Sequence, residues 1–282
     1  TMTSKPRLFF GLLAAFIFVH GTALAQPEAL KAARDAVAES IGRLEEFHKN
    51  TPPGAREDQE LQLKREALSK IIEFTSLEAG ELKLKLEHIQ EVEAPFIILL
   101  DSYLETLDQF LNRLDTAKIE LDELEGAITA DEFKGLAASF TDWRTSTYNP
   151  ALRRMAAFAL GFQNRALLKV ADQRFVKIAA ELKKSKIDTG LTRDALNEAA
   201  LRLREAREYN NQAIDVMARF LPNNEEEKIG ELLIDEKPAP QKTDEDKPEM
   251  LIKSMVEKSL GSLRNAYKKF FELNEFIKKF RP

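Results

Sequence analysis

Apolar residues return every three or four positions along nearly the whole chain beyond residue 27, the period of a helix with one buried face. Leu30, Ala33, Val37, Ile41, Leu44 and Phe47 form the first such stripe and predict a helix from Pro27 to about Lys49. Thr51-Pro52-Pro53-Gly54 ends it, because proline lacks the amide donor that a helix needs and glycine favours a turn. Leu61, Leu68, Ile72, Leu82, Leu86 and Ile89 predict a second helix from about Glu57 to Gln90. Glu81 to Glu87 alternates apolar and charged residues at period two, yet it has no turn-flanked partner strand and its leucines also fit one helical face. Pro95 marks a restart, followed by a heptad-like run of Leu100, Leu104, Leu107, Leu111, Leu114 and Leu121. That run predicts a seam for another helix, either in the same chain or in a second copy.

Thr129-Ala130-Asp131-Glu132 matches a capping box and predicts a short helix reaching about Thr145. Asn149-Pro150 reads as a new start, an Asn cap followed by proline in the first turn, for a helix to about Lys184. Met155 to Phe162 is apolar around most of its circumference, as expected of a helix at the centre of a bundle. Asp188 to Thr192 predicts a turn with Thr192 as cap. Leu196, Ala199, Leu203, Ala206, Ala213, Met217 and Phe220 then form a stripe that stops at Pro222. From Asn223 to Glu249, ten acidic residues stand against four lysines, with three prolines among them, which reads as a solvated linker over 223–247. A last helix over 248–282 carries Ile252, Val256, Leu260, Leu263, Tyr267, Phe270 and Ile277 on one stripe, with Phe271 and Phe280 beside it. The fold expected is all-α: an elongated bundle of five or six helices within 26–222, plus a tethered C-terminal amphipathic helix.

The first 25 residues break this pattern. Lys5 and Arg7 precede the uncharged run from Leu8 to Val19, and Ala23-Leu24-Ala25 supplies the small-x-small pattern of a signal-peptidase site. Those parts, in that order, are a secretory signal peptide over 1–25. A retained anchor is the competing reading, since Leu8 to Ala25 touches the lower length limit for a spanning helix. The strongly apolar part is too short for that, so export to the periplasm, cell envelope or exterior is the expectation.

Composition adds exclusions. The 282-residue chain has 42 basic and 47 acidic residues, and cleavage after Ala25 removes two of the basic ones. Nucleic acid is not an expected partner of so acidic a chain. There is no cysteine, so an exported form has no disulfide framework, no thiolate metal site and no thiol nucleophile. His48 and His88 are the only histidines beyond the signal segment, and neither lies in a ligand-spaced pair. Carboxylates such as Glu45, Glu46, Glu78, Glu120, Asp122 and Glu123 read as solvated helix faces. No cofactor, metal or catalytic residue is expected.

Two stretches remain as candidate partner-binding sites. One is Trp143, Arg144 and Tyr148 at the predicted helix restart, where an indole face and a guanidinium could share a ligand, or could simply fill a wedge between helices. The other is the basic last helix, with Lys268, Lys269, Phe270, Phe271, Lys278 and Lys279, suited to an anionic membrane surface or an acidic partner unless it folds back on the bundle. The reading that follows is a non-enzymatic, exported helical interaction or scaffold protein of the bacterial cell envelope or exterior. It would bind a protein, an envelope polymer or a lipid surface, with self-association through the 100–121 seam as an option. The alternatives are an anchored extracytoplasmic sensor or scaffold and, less expected, an enzyme with its site at Trp143, Arg144 and Tyr148.

Overall fold

The computed structural model describes residues 28–52, 54–123, 129–185, 187, 189–221 and 247–280, the side chain of Phe280 excepted. Seven α-helices occur among them: α1 (Glu28–Asn50), α2 (Glu57–Glu87), α3 (Ala94–Glu123), α4 (Ala130–Trp143), α5 (Asn149–Lys184), α6 (Gly190–Met217) and α7 (Pro248–Phe280). A π-helical turn, Arg144–Tyr148, links α4 to α5, and no strand is present among the described residues. The signal segment and the acidic linker lie outside the described residues.

Most boundaries fall within a residue or three of those that the periodicity predicts. Gly54, at φ 79°, supplies the left-handed conformation that turns the chain after α1. Pro95 occupies the first turn of α3, where its missing amide costs nothing. Thr129 and Glu132 form the expected capping box: the Thr129 hydroxyl accepts from the Glu132 amide, and the Glu132 carboxylate accepts from the Thr129 amide at 2.9 Å. At α6 the cap is Thr189 rather than Thr192. The Thr189 hydroxyl takes the Thr192 amide, and Thr192, itself buried, returns a bond to the Thr189 amide at 3.0 Å. Threonine at both ends of a four-residue box makes the two indistinguishable by composition.

Contacts divide the chain into two compact units. Unit 1 comprises Thr1–Leu84 and Leu104–Pro150, and unit 2 comprises Lys85–Tyr103 and Ala151–Pro282. The core of unit 1 draws on Val37, Ile41 and Leu44 of α1, Leu68, Ile71, Ile72 and Leu82 of α2, and Leu107, Leu114 and Leu121 of α3. The seam on α3 is rotated from the leucine run. On the unit 1 part of α3, Leu107, Phe110, Leu114 and Leu121 are buried, and on its unit 2 part Phe96, Leu99 and Tyr103 are, whereas Leu100, Leu104 and Leu111 are only partly covered. Aromatic rings bury more surface than leucine and so claim the centre of the stripe.

In unit 2, α5, α6 and α7 enclose a second core: Leu168, Ala171, Ile178 and Leu182 of α5, Ala195, Ala199, Leu203 and Ala206 of α6, and Leu263, Ala266, Phe270, Leu273 and Ile277 of α7. α7 packs along α6, so its apolar stripe is covered within the chain. The alanines let the helices approach closely, as does Gly161 on α5: a Cβ there would sit 2.0 Å from the Met217 Cε. Inside this core lies a polar knot spanning all three helices. Buried Asn164 of α5 donates through Nδ2 to Asn210 Oδ1 of α6 at 2.7 Å and to Ser259 Oγ of α7 at 2.8 Å. Ser259 in turn donates to the Ala206 carbonyl at 2.7 Å. Directional bonds of this kind form at one register only, so they set how far α7 slides along its neighbours.

Ser259→Ala is therefore expected to lower the unfolding free energy of unit 2 by about 1–3 kcal/mol by leaving the Asn164 amide and the Ala206 carbonyl short of partners. Urea unfolding followed by helical circular dichroism measures it, and an unchanged midpoint would show that the knot contributes nothing.

Candidate functional site

Trp143, Arg144 and Tyr148 come together in unit 1, and all three are buried. The local backbone explains why. A proline at position 150 cannot donate to the carbonyl four residues back, and its ring crowds that turn. The helix answers by widening. The Asn149 amide donates to the Arg144 carbonyl, five residues back, and Asn149 stays helical at φ −61°, ψ −43°. The break expected at Asn149-Pro150 is therefore absent, and the chain passes through a π turn in its place. The hydroxyls of Thr141, Thr145 and Ser146 donate to the carbonyls of Ala137, Thr141 and Asp142, a second route for satisfying backbone acceptors near the distortion.

The extra residue in that turn brings Trp143, Arg144 and Tyr148 to the inner side. Trp143 meets Phe110 edge-on at 5.6 Å, with Tyr148 at 5.3 Å and Phe140 at 5.8 Å between ring centres. The Arg113 guanidinium lies 4.9 Å from the indole centre, within cation–π range. Arg144, 5% exposed, donates from Nη1 to the Thr75 hydroxyl at 2.8 Å, which itself donates to the Ile71 carbonyl at 2.7 Å. The fully buried Tyr148 hydroxyl lies 3.1 Å from the Thr75 carbonyl and 3.2 Å from Glu78 Oε2, a donor placed between two acceptors.

These groups alter one another's acidity. Burial pushes the Glu78 carboxyl above its usual range, against the Arg144 charge and the Tyr148 hydroxyl, which both favour the ionised form. Burial draws Arg144 down from its ordinary value, opposed by Glu78. Tyr148 is raised well above the ordinary tyrosine value, first by burial and then by the Glu78 charge, so it is a neutral hydrogen-bond donor. The geometry is that of a packed internal cluster in which Thr75 and Glu78 of α2 face a buried cation at the π turn.

The remaining candidates separate. Phe270 is in the unit 2 core, 5.2 Å from Tyr267 and 6.3 Å from Phe175 between ring centres. Lys269 bridges Glu198 of α6 at 3.2 Å and Glu272 at 3.0 Å, and both carboxylates raise its pKa. Lys278 pairs with Glu275 at 2.8 Å. Lys268, Phe271 and Lys279 are exposed, Phe271 at 66%. The basic helix thus divides into an inner face that docks and an outer face that does not.

The periodicity alone passed over Thr75, Asn164, Asn210 and Ser259. The signal available was a threonine, asparagine or serine at a position where the helical period calls for an apolar residue. Glu78, taken as part of a solvated face, stands one turn beyond Thr75 and so belongs to the inner side with it. His48 bonds to Glu60 at 3.0 Å, and no group of three or more acidic or histidine side chains able to hold a metal exists among the described residues. Comparison with family models, curated proteins and solved structures returned no match.

Two expectations test the cluster. Tyr148→Phe should cost about 1–2 kcal/mol of unit 1 stability through its two lost bonds, read by urea unfolding. A carboxyl raised by folding stabilises fully below its unfolded pKa and loses that contribution as pH climbs through the folded value. Glu78→Gln should therefore match the parent below about pH 4 and exceed it in stability at neutral pH. A parent that gains on the variant as pH rises would mean that Arg144 outweighs burial.

Proposed function

We propose that this chain is a non-enzymatic, exported helical interaction protein of the bacterial cell envelope or exterior, working through its surfaces. The observation that carries the reading is the N-terminal segment: a basic start at Lys5 and Arg7, an apolar run from Leu8 to Val19, and Ala23-Leu24-Ala25 at the cleavage position. An exported chain without cysteine must hold its shape by packing and buried hydrogen bonds alone. The knot at Asn164 and the cluster at Arg144 are supports of that kind. The enclosure of Trp143, Arg144 and Tyr148 supports a packing role for the most chemically varied group in the chain. No helix among the described residues is long and apolar enough to cross a membrane.

Intact mass of the protein recovered from its native host tests export. A chain beginning at Gln26 is expected; a full-length N-terminus retained in the membrane fraction would favour the anchored alternative. Trp143→Phe should leave partner capture by the mature protein from native envelope extracts within about twofold of the parent, since ring burial and edge contacts largely persist. Loss of capture by a variant that still folds would return Trp143 to the list of binding residues.

A further inference from the structure

The outer surface formed by α5 and α7 of unit 2 carries apolar tips among cations. The Arg174 guanidinium of α5 lies 5.4 Å from the Tyr267 ring of α7, which fixes where the two helices run side by side. On α5, Leu167 and Val170 are one or two turns before Arg174 on the same side, exposed at 45% and 55%. On α7, Arg264, Phe271 and Lys278 follow the heptad line through Tyr267, and Lys268 adjoins it. Phe271 is the one aromatic among the large exposed apolar side chains of the described residues. Arg264 and Lys268 make no ion pair among the described residues, unlike Lys269 and Lys278.

We propose that this α5–α7 face is a docking surface for an anionic lipid bilayer, with Phe271, Val170 and Leu167 entering the headgroup boundary while Arg264, Lys268 and Arg174 meet lipid phosphates. Charge complementarity selects the occupant: Glu257 and Glu275 on this side of α7 pair with Lys253 and Lys278, which leaves Arg264, Lys268 and Arg174 outnumbering Glu181 of α5 and turns the face toward a negative surface. The form of the strip favours lipid over a folded acidic partner. Long flexible cations around separate apolar tips suit a fluid surface, whereas a protein hot spot needs an ordered pocket. α7 would not bind as a free amphipathic helix, because its own apolar stripe is already covered by α5 and α6. The surface rests on the exported reading for its compartment, and that reading does not depend on it.

The experiment is co-sedimentation of the chain from Gln26 onward with two kinds of vesicle, phosphatidylcholine alone and phosphatidylcholine mixed with phosphatidylglycerol. Binding is expected to the mixed vesicles only, and to weaken as salt rises. Arg264→Glu with Lys268→Glu should reduce it at least about tenfold, and Phe271→Ser several-fold, with helical circular dichroism unchanged because all three side chains are exposed. Equal binding to both vesicles, or parent-like binding by the charge-reversed variant, would overturn the proposal. So would capture of soluble polyglutamate without vesicle binding, which would assign the strip to an acidic polypeptide. Failure here leaves the mature N-terminus, measured separately, as the test of export.

Discussion

A polar group carried into a helical core must find its partner on a neighbouring helix, and in each unit this requirement fixes how the helices meet. In unit 1 the charge is Arg144, almost wholly withdrawn from water. A guanidinium there without a hydrogen-bond partner would be costly, so the Thr75 hydroxyl on α2 has to face it, with the Glu78 carboxyl close enough to oppose the effect of burial on it. Tyr148 then closes the cluster by bonding to both the Thr75 carbonyl and Glu78. The π turn is the geometric condition for this arrangement, and Pro150 is the covalent reason for the turn.

Unit 2 meets the same requirement with neutral groups. Asn164, Asn210 and Ser259 each replace an apolar side chain at the centre of a stripe, Asn164 donating to both of the others and Ser259 to the Ala206 carbonyl of α6. Around them the core is rich in alanine, and small residues on three facing helices permit many alternative registers of similar apolar contact. Apolar burial is roughly proportional to area and indifferent to sliding. Directional hydrogen bonds supply the selectivity that alanine cannot. In a chain without disulfides, this pairing of non-directional burial with a few buried bonds is what specifies a single packing.

This division of labour also separates the chain's surfaces. Side chains that looked most suited to chemistry, Trp143, Arg144 and Tyr148, are consumed in holding unit 1 together. On α7 the inner face contributes Phe270, Leu273 and Ile277 to the core, and the adjoining outer face keeps Lys268, Phe271 and Lys279 in solvent. A one-residue step from Phe270 to Phe271 thus crosses from structural element to surface, a consequence of the hundred-degree turn per residue in a helix.

Helical periodicity, proline and glycine punctuation and the Thr129 capping box were enough to place nearly every helix, because those signals are local and act within a few residues. The π turn was not legible: Asn149-Pro150 carries the same letters whether it starts a helix or distorts one. The choice depends on whether burying Trp143 and Tyr148 against Phe110 repays the irregular backbone. The rotation of the α3 seam toward Phe96, Tyr103 and Phe110, the docking of α7 and the partners of Arg144, Asn164 and Ser259 were likewise settled by tertiary structure. Each depends on which surface another helix presents, and a stripe read along one helix contains only half of that contact. What the chain alone determined is an all-helical protein and where its helices lie; which of their polar residues face inward was decided when the helices met.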